Sequence, residues 1–394
     1  MSALRDGLIE VPAGLRDVVV SNTEIGDVHG GEGFYHYRQY SAIELAGAKS
    51  LEQVWFLVVN GRLPSEPELA EFSQHVAAAR ELPEQLAEVL PSIAAAGDRF
   101  EPLAGLRTAL SLFGSVCGMA PLWDSGAGAA GADALAVCAV TPTVLAALYR
   151  LRAGLAPVEP RAELSVAANW LYMINDGQPD PAHTRAVERY LIATIDHGFN
   201  ASTFTARVVA SAGADVVASV AAAIGAFSGP LHGGAPDRAL EALDAIGTRE
   251  RIDEWVRARL LAGERIMGFG HAVYRTEDPR ARMLREIALN LADADGVSRP
   301  DAELVDLAVT VERRVTEILA EVKPGRALPV NVEFYAGVVM RLCGIPNAMF
   351  TPTFTVSRVI GWCANILEQA ATRKLIRPSA RYVGPPAPSP VPAN

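Results

Sequence analysis

One histidine segment combines residue types suited to stabilising a carbonyl-derived anion. His232 is followed by Gly233, Gly234 and then Pro236, which suits the first turn of a helix predicted over Pro236–Ile246. A histidine just before a helix N-terminus feels the positive end of the dipole, which favours the neutral imidazole. A neutral imidazole can donate a hydrogen bond to a carbonyl oxygen and stabilise an enol there. The spacing agrees equally well with a histidine that only caps its own helix.

A second histidine lies in a loop with basic neighbours. His271 follows a Gly-x-Gly sequence and precedes Arg275 and Arg280. Between the two arginines, Asp278 and Pro279 have the types expected at the N-cap and first position of a helix. A glycine loop beside arginines and a helix start predicts an anion site. The alternative is an ordinary solvated basic loop.

A third histidine, His197, has a simpler setting. Asp196 is next to it in sequence and is expected to orient its ring, and Asn200 follows three residues later. Spacing alone favours a histidine with a structural role over a ligand contact.

The elements that must position these residues are predicted to be almost all helical. Residues 18–21 and 34–40 predict short strands around a glycine-rich turn. Helices are predicted over Leu51–Asn60 and over residues 66–81, and residues 126–131 are interpreted as a flexible connector. Further helix-length pieces are divided at Pro83, Pro91, Gly97, Pro102, Gly114, Pro121, Gly154 and Pro157. The sequence shows neither the alternation of strands and helices typical of βαβ units nor a repeat of fixed length. The predicted fold class is therefore mostly α with a short N-terminal β segment.

Composition excludes several classes of function. The 394 residues carry a net charge of −10, which argues against a protein that wraps nucleic acid or binds an anionic membrane surface. The chain contains no P-loop, HExxH or GxSxG motif, and its four cysteines form no CxxC pair. The apolar stretches at residues 129–148 and 214–227 predict buried helices rather than membrane spans. No secretory signal pattern opens the sequence, so we expect a cytoplasmic protein with free thiols.

Taken together and in order, these segments resemble the citrate synthase family. Residues 229–235 and 268–280 look like its two histidine signatures, and residues 196–203 look like its substrate-binding histidine segment. Residues 329–337 resemble its catalytic carboxylate segment, and residues 357–362 and 377–384 resemble its two late arginine sites. The match runs from about residue 25 to residue 384.

The resemblance implies a mostly helical two-domain fold and a condensation of oxaloacetate with acetyl-CoA. By matching position, Glu333 removes a proton from the acetyl methyl group, His232 stabilises the enol, and His271 polarises the ketone of oxaloacetate. A thioester α-proton is too weakly acidic for a carboxylate in water, so a desolvated base and a preorganised donor are both required.

The resemblance also implies which residues hold the substrates. The oxaloacetate carboxylates call for permanently charged, bidentate partners, which by matching position are Arg280, Arg358 and Arg377. His197 is also in contact with oxaloacetate. Arg377 reaches across from a second subunit, so a homodimer is expected, and Arg275 contacts the CoA phosphates. No metal and no cofactor are implied, because the CoA thioester is a substrate.

The resemblance further divides the chain into domains. Residues 1–234 and 348–394 are expected to form a large helical domain, with a small domain at residues 235–347 and a proline-rich tail at residues 385–394. The chain lacks the long N-terminal extension of the hexameric, NADH-regulated branch, so we expect the dimeric type.

One departure from the family pattern leaves the substrate open. The catalytic position is usually aspartate, and the extra methylene of Glu333 displaces a carboxylate by about 1.5 Å if nothing compensates. Such a displacement changes the rate or the preferred acyl-CoA. A 2-methylcitrate synthase that uses propionyl-CoA is therefore an alternative, and a non-catalytic CoA-binding paralogue is a less favoured one.

Overall fold

A computed structural model describes residues 8–229, 232, 236–270, 273–274, 276–294, 296–322, 328–385, 388 and 390–391, without the side chains of residues 236–238. Within these ranges the chain forms sixteen α-helices and one three-stranded sheet, which confirms the mostly helical class. The strands are β1 (Gly26–His29), β2 (Phe34–Tyr37) and β3 (Tyr40–Ser41). The first eight helices are α1 (Ala42–Ala48), α2 (Leu51–Asn60), α3 (Glu66–Ala78), α4 (Glu84–Ala94), α5 (Pro102–Val116), α6 (Ala127–Arg152), α7 (Val166–Asn175) and α8 (Pro181–Thr194). The others are α9 (Ala201–Ser211), α10 (Val216–Phe227), α11 (Pro236–Ile246), α12 (Ile252–Leu261), α13 (Pro279–Ala292), α14 (Arg299–Val322), α15 (Val332–Leu342) and α16 (Phe350–Thr372).

The N-terminal sheet is antiparallel and is attached to the helical core by two tyrosines. In the β1–β2 pair, Asp27 lies opposite His36. The buried Tyr35 and Tyr37 donate hydrogen bonds from their hydroxyls to main-chain oxygens at the end of α8. The strand predicted at residues 18–21 is wrong, because that segment forms no strand and pairs with none of the three strands of the sheet.

Helix ends follow local sequence signals where those signals are strong. Ser50 forms a capping box at the start of α2, and Gly61 ends it with a left-handed φ of 80°. Asp278 caps α13 and Pro279 is its first residue, as predicted.

Other breaks predicted from proline and glycine are wrong. Pro91 lies inside α4, and Gly114 lies inside α5 with its Cα against Val217 of α10. Residues 126–131 are not a connector, because Gly126 is the N-cap of α6 and the next five residues begin that helix. Burial of these helices offsets the local cost of such residues, which is about 1 kcal/mol for glycine and about 3 kcal/mol for proline.

Helices α6 and α16 form the centre of the helical core. Helix α6 is long and apolar enough to cross a membrane, but most of it is buried here against α4, α5, α7 and α16, as predicted for residues 129–148. Helix α16 packs against α6, α8, α9 and α10, and most of its side chains are buried. A Cβ at Gly361 would lie 2.1 Å from the carbonyl oxygen of Ile195, so only glycine allows α16 to approach the end of α8 this closely.

A second group of helices carries the later part of the sequence. Helix α15 packs against α11 and α13, and α12 packs against α14. Helices α13 and α15 also contact α8, which brings this group against the core helices. The predicted domain boundaries at residues 234 and 348 stay a prediction.

Candidate active site

His232 contacts the beginning of α9. The Ser202 amide donates to His232 Nε2 at 3.3 Å, and Ser202 Oγ lies 2.8 Å from the same nitrogen. An amide N–H can only donate, so Nε2 accepts and the neutral imidazole carries its proton on Nδ1. Trp362 Nε1 donates to Ser202 Oγ at 3.1 Å. The same oxygen lies 2.8 Å from Oδ1 of Asn200, the N-cap of α9, so its one proton can go to either Nε2 or Oδ1. The ring is therefore held in one tautomer with an N–H available as a donor.

The surroundings of His232 keep it uncharged. Burial, together with the charge of the nearby Arg358 guanidinium, lowers its pKa to about 4. The sequence predicted a neutral ring through the dipole of α11, but the helix end that the ring contacts belongs to α9. Burial and the charge of Arg358 thus favour the neutral state that the sequence predicted, and the contribution of the α11 dipole stays a prediction.

Two buried arginines from different helices lie within electrostatic range of each other. Arg280 of α13 pairs with Asp278, with Nε–Oδ1 and Nη2–Oδ2 distances of 3.0 and 2.8 Å. Burial alone would lower the pKa of Arg280, but the Asp278 carboxylate raises it overall. Arg358 of α16 has its pKa lowered by burial, and Arg280 lowers it further.

Arg358 has charge and donors left for a ligand. Among the described residues its one hydrogen bond is from Nε to the Thr194 carbonyl, at 3.0 Å. The nearest compensating carboxylate, Asp196, accepts hydrogen bonds from the Gly198 amide and Asn365 instead. A buried guanidinium without a directly bonded carboxylate favours an anionic ligand, because burying an uncompensated charge is costly.

His197 joins this cluster through a tyrosine. Its Nε2 lies 2.9 Å from the Tyr274 hydroxyl, and the Arg280 guanidinium carbon lies 5.8 Å from the Tyr274 ring centroid. The prediction that Asp196 orients the His197 ring is wrong, because the Asp196 carboxylate is turned toward α16 and bonds Asn365. Burial raises the pKa of Asp196 to about 6, and Arg358 opposes that rise.

Glu333 occupies the first turn of α15, beside the glycine loop that precedes His271. Asn331 caps the helix by accepting from the Glu333 amide at 3.1 Å. The main-chain amide of Asn331 donates to the Gly268 carbonyl at 2.9 Å, and the Gly270 amide donates to the Pro329 carbonyl at 2.8 Å. Gly268 has a φ of 85°, and a Cβ there would lie 2.9 Å from Phe334, so this loop needs glycine to lie against α15.

Glu333 has the properties of a base at neutral pH. Burial raises its pKa to about 7, although the charge of Arg280 opposes the rise. The carboxylate lines a cavity of about 590 Å³ together with the glycine loop, Leu319 and Leu328. That volume lies within the usual range for small-molecule and cofactor pockets.

The predicted site residues divide into three groups. His197, His232, Arg280, Arg358 and Glu333 are linked by the contacts and charge interactions above. His271 and Arg275 lie outside the described residues. Arg377 is exposed in the segment after α16 and makes no hydrogen bond or ion pair within the described part of the chain.

Sequence reasoning missed two residues that hold others in place. Ser202 and Trp362 fix the His232 tautomer, yet they lie 30 or more residues from it in sequence. Asp278 was expected only as a helix cap, but it also binds the Arg280 side chain and the Val332 amide. A carboxylate two residues before an arginine was the only signal for that second role.

Comparison with known proteins identifies the family of the chain. Residues 14–379 match the family model described as citrate synthase, C-terminal domain. The chain is 37% identical over 372 residues to citrate synthase 2 of Bacillus subtilis, covering 94% of this chain and 95% of that protein. It is also 37% identical over 375 residues to the 2-methylcitrate synthase of Mycobacterium tuberculosis, covering 95% and 91%.

Solved structures give the same result. The citrate synthase of Pyrobaculum aerophilum superimposes with a TM-score of 0.84 at 34% identity, covering 100% of this chain and 99% of that one. The citrate synthase of Thermoplasma acidophilum, in a ternary complex with carboxymethyl coenzyme A and oxaloacetate, has a TM-score of 0.87 at 26% identity, covering 97% and 98%. The chain belongs to the citrate synthase family and is a transferase of the acyl-condensing type.

Proposed function

We propose that the protein is a citrate synthase that condenses acetyl-CoA with oxaloacetate. The observation that carries this proposal is the position of Glu333, a carboxylate with a pKa of about 7, in the wall of a large cavity and within electrostatic range of Arg280. A base of this strength suits removal of a carbon-bound proton, and the buried cations suit a dicarboxylate. The ternary complex of the Thermoplasma acidophilum relative contains ligands of the same two chemical classes.

Enol formation uses two of the described side chains. The Glu333 carboxylate takes a proton from the methyl group of acetyl-CoA. The electron pair of the broken C–H bond moves toward the thioester oxygen, which accepts a hydrogen bond from Nδ1–H of neutral His232. A neutral imidazole suits this role, because its pKa of about 4 keeps it uncharged at neutral pH.

Condensation and hydrolysis complete the reaction. The enol carbon attacks the ketone carbon of oxaloacetate, and His271 is proposed to supply the proton to the ketone oxygen. Water then cleaves the citryl thioester and releases citrate and the CoA thiol. Arg280, Arg358 and His197 hold the oxaloacetate carboxylates. The proton that Glu333 took leaves the carboxyl through water, and a proton from water replaces the one that His271 gave, so both groups return to their starting states.

The assembly remains part of the proposal. Arg377 is exposed in a single chain, as expected if it reaches the site of a partner subunit, and we propose a homodimer on this basis. The cytoplasmic location is proposed from the sequence alone. Arg275 is proposed to bind the CoA phosphates.

A 2-methylcitrate synthase is the second candidate. The chain is equally similar, at 37% identity, to a protein named citrate synthase 2 and to one named 2-methylcitrate synthase. The two reactions share their catalytic groups, and one methylene in an acyl pocket discriminates by only about 10–200-fold.

Steady-state kinetics test both candidates. Released thiol is measured with acetyl-CoA and with propionyl-CoA, each with oxaloacetate. A higher kcat/KM for acetyl-CoA supports citrate synthase, and a higher value for propionyl-CoA supports the second candidate. No thiol release from either substrate would contradict both enzymes and favour a CoA-binding paralogue.

Glu333→Gln is expected to abolish condensation with little change in oxaloacetate affinity, whereas retained turnover would identify another base.

A further inference from the structure

The N-terminal hairpin places three metal-ligand side chains on one face, outside the site described above. Asp27 and His29 are two residues apart on β1, so their side chains point to the same side of the strand. His36 on β2 lies directly opposite Asp27 in the antiparallel register. One ligand atom from each of the three residues lies within 4.8 Å of the other two.

These separations suit a small divalent ion. Zinc bonds of 2.0–2.2 Å in tetrahedral geometry place ligand atoms about 3.4 Å apart. His29 Nε2 lies 3.6 Å from Asp27 Oδ2, close to that spacing. Asp27 and His29 are exposed, so side-chain rotation can close the remaining distance while the strand pairing keeps the backbone in place. Water completes the coordination.

An independent contact orients one of the histidines. His36 Nδ1 lies 2.5 Å from the Arg38 carbonyl oxygen, which can only accept, so this nitrogen carries the ring proton. The lone pair is then on Nε2. Histidines that bind metals commonly donate their other ring N–H to a carbonyl or carboxylate in this way. The Arg38 carbonyl is itself fixed, because the Arg38 amide bonds the Ile25 carbonyl and its guanidinium bonds the Val58 carbonyl.

We propose that Asp27, His29 and His36 form a surface site for Zn²⁺ or a similar first-row divalent ion. The imidazole and carboxylate donors match the preferences of these ions better than those of Mg²⁺ or Ca²⁺, which favour oxygen ligands. The site is distinct from the acyl-condensing machinery and does not depend on the proposed substrates.

Metal titration of the intact protein tests the proposal. Tag-free, chelator-treated protein competes with a chromophoric chelator for Zn²⁺, and Co²⁺ is added separately to record the visible bands of the bound ion. The exposed Cys117 is replaced by serine in every sample, so that its thiol does not supply a competing ligand. We expect one equivalent of Zn²⁺ per chain, with affinity reduced at least tenfold in His29→Ala and in His36→Ala. His75→Ala, which removes an exposed histidine of α3, is the matched control and should bind like the parent.

The outcomes separate a metal site from a simple His29–Asp27 ion pair. If His29 and Asp27 form only an ion pair, no stoichiometric binding of Zn²⁺ is expected. A titration that shows no stoichiometric binding would therefore overturn the proposal. Equal loss of binding in His75→Ala would overturn it as well. Circular dichroism of each variant shows whether the chain stays folded, and His36→Gln provides a second variant of similar size that lacks the imidazole ligand.

Discussion

Glu333 is expected to set the pH dependence of the reaction between pH 6 and pH 8. Burial raises the pKa of this carboxyl to about 7. The reactive carboxylate fraction is then about one tenth at pH 6, one half at pH 7 and nine tenths at pH 8, so kcat/KM for the acyl-CoA rises about tenfold over this range. A glutamate with an ordinary pKa near 4.5 is already about 97% ionised at pH 6 and predicts an almost flat profile.

The assay is thiol release at limiting acyl-CoA and saturating oxaloacetate, in buffers of constant ionic strength. Glu303→Gln is the matched control, because it removes the same charge from an exposed position of α14. Glu303 is 16 residues before Leu319, which lines the cavity, and this places it roughly 24 Å away along the helix. The control should keep the tenfold rise, whereas Glu333→Gln should lose turnover by about 10²-fold or more.

Thermal unfolding gives a second measurement of the same pKa. A carboxyl whose folded pKa lies above its unfolded value stabilises the protein fully below about pH 4.5, and that contribution is lost as the pH rises through 7. The parent should therefore lose stability relative to Glu333→Gln between pH 5 and pH 8. The raised pKa would be refuted if the rate profile were flat and the stability difference between the parent and Glu333→Gln did not change with pH. A tenfold rise that persists in residual Glu333→Gln turnover would assign the titration to another group.

Three further predictions concern groups that support the site. Ser202→Ala removes the hydroxyl that lies 2.8 Å from the site imidazole and leaves a buried indole N–H unpaired, so kcat should fall about tenfold or more at nearly constant oxaloacetate KM. An unchanged kcat in steady-state kinetics would contradict this. Asp278→Asn breaks a buried ion pair with Arg280. The change should cost about 3–5 kcal/mol of folding free energy in denaturant titrations and raise the oxaloacetate KM. A loss below about 1 kcal/mol would argue against the pair. Gly361→Ala should destabilise by about 1–3 kcal/mol or more through overpacking, whereas Gly131→Ala, in open space on α6, should stabilise by roughly 0.5–1 kcal/mol. Similar melting temperatures for the two glycine variants would contradict the close helix contact.

Local signals in the sequence predicted local structure well. The cap at Asp278 was predicted correctly, because it depends on residues only two positions apart. The helix through Pro91 was not, because burial of an apolar helix face offset the local cost of a proline. The strand predicted at residues 18–21 failed for a related reason, since a strand requires a partner that sequence alone does not identify.

In the candidate site, too, local sequence signals were informative, whereas contacts between distant residues could not be predicted. The residue types around His232 and Arg280 suggested enol stabilisation and anion binding, but each also allowed a purely structural reading. The role of Glu333 came only from the resemblance to the citrate synthase family. The contact between His232 and Ser202 joins positions 30 residues apart, and no periodicity predicts such a pairing. The raised pKa of Glu333 depends on burial among several helices, which only the folded chain defines.

The central position of α16 has a consequence for biosynthesis. This helix supplies Arg358 and Trp362 and is surrounded by α6, α8, α9 and α10, yet 349 residues precede it. At about 5–20 residues per second, the ribosome needs roughly 17–70 s to make those residues. During that interval the nascent chain lacks the helix that later covers its core, and the buried Arg207 lacks its partners on α16. The growing polypeptide is thus expected to remain a client of ribosome-associated chaperones until its last helix emerges.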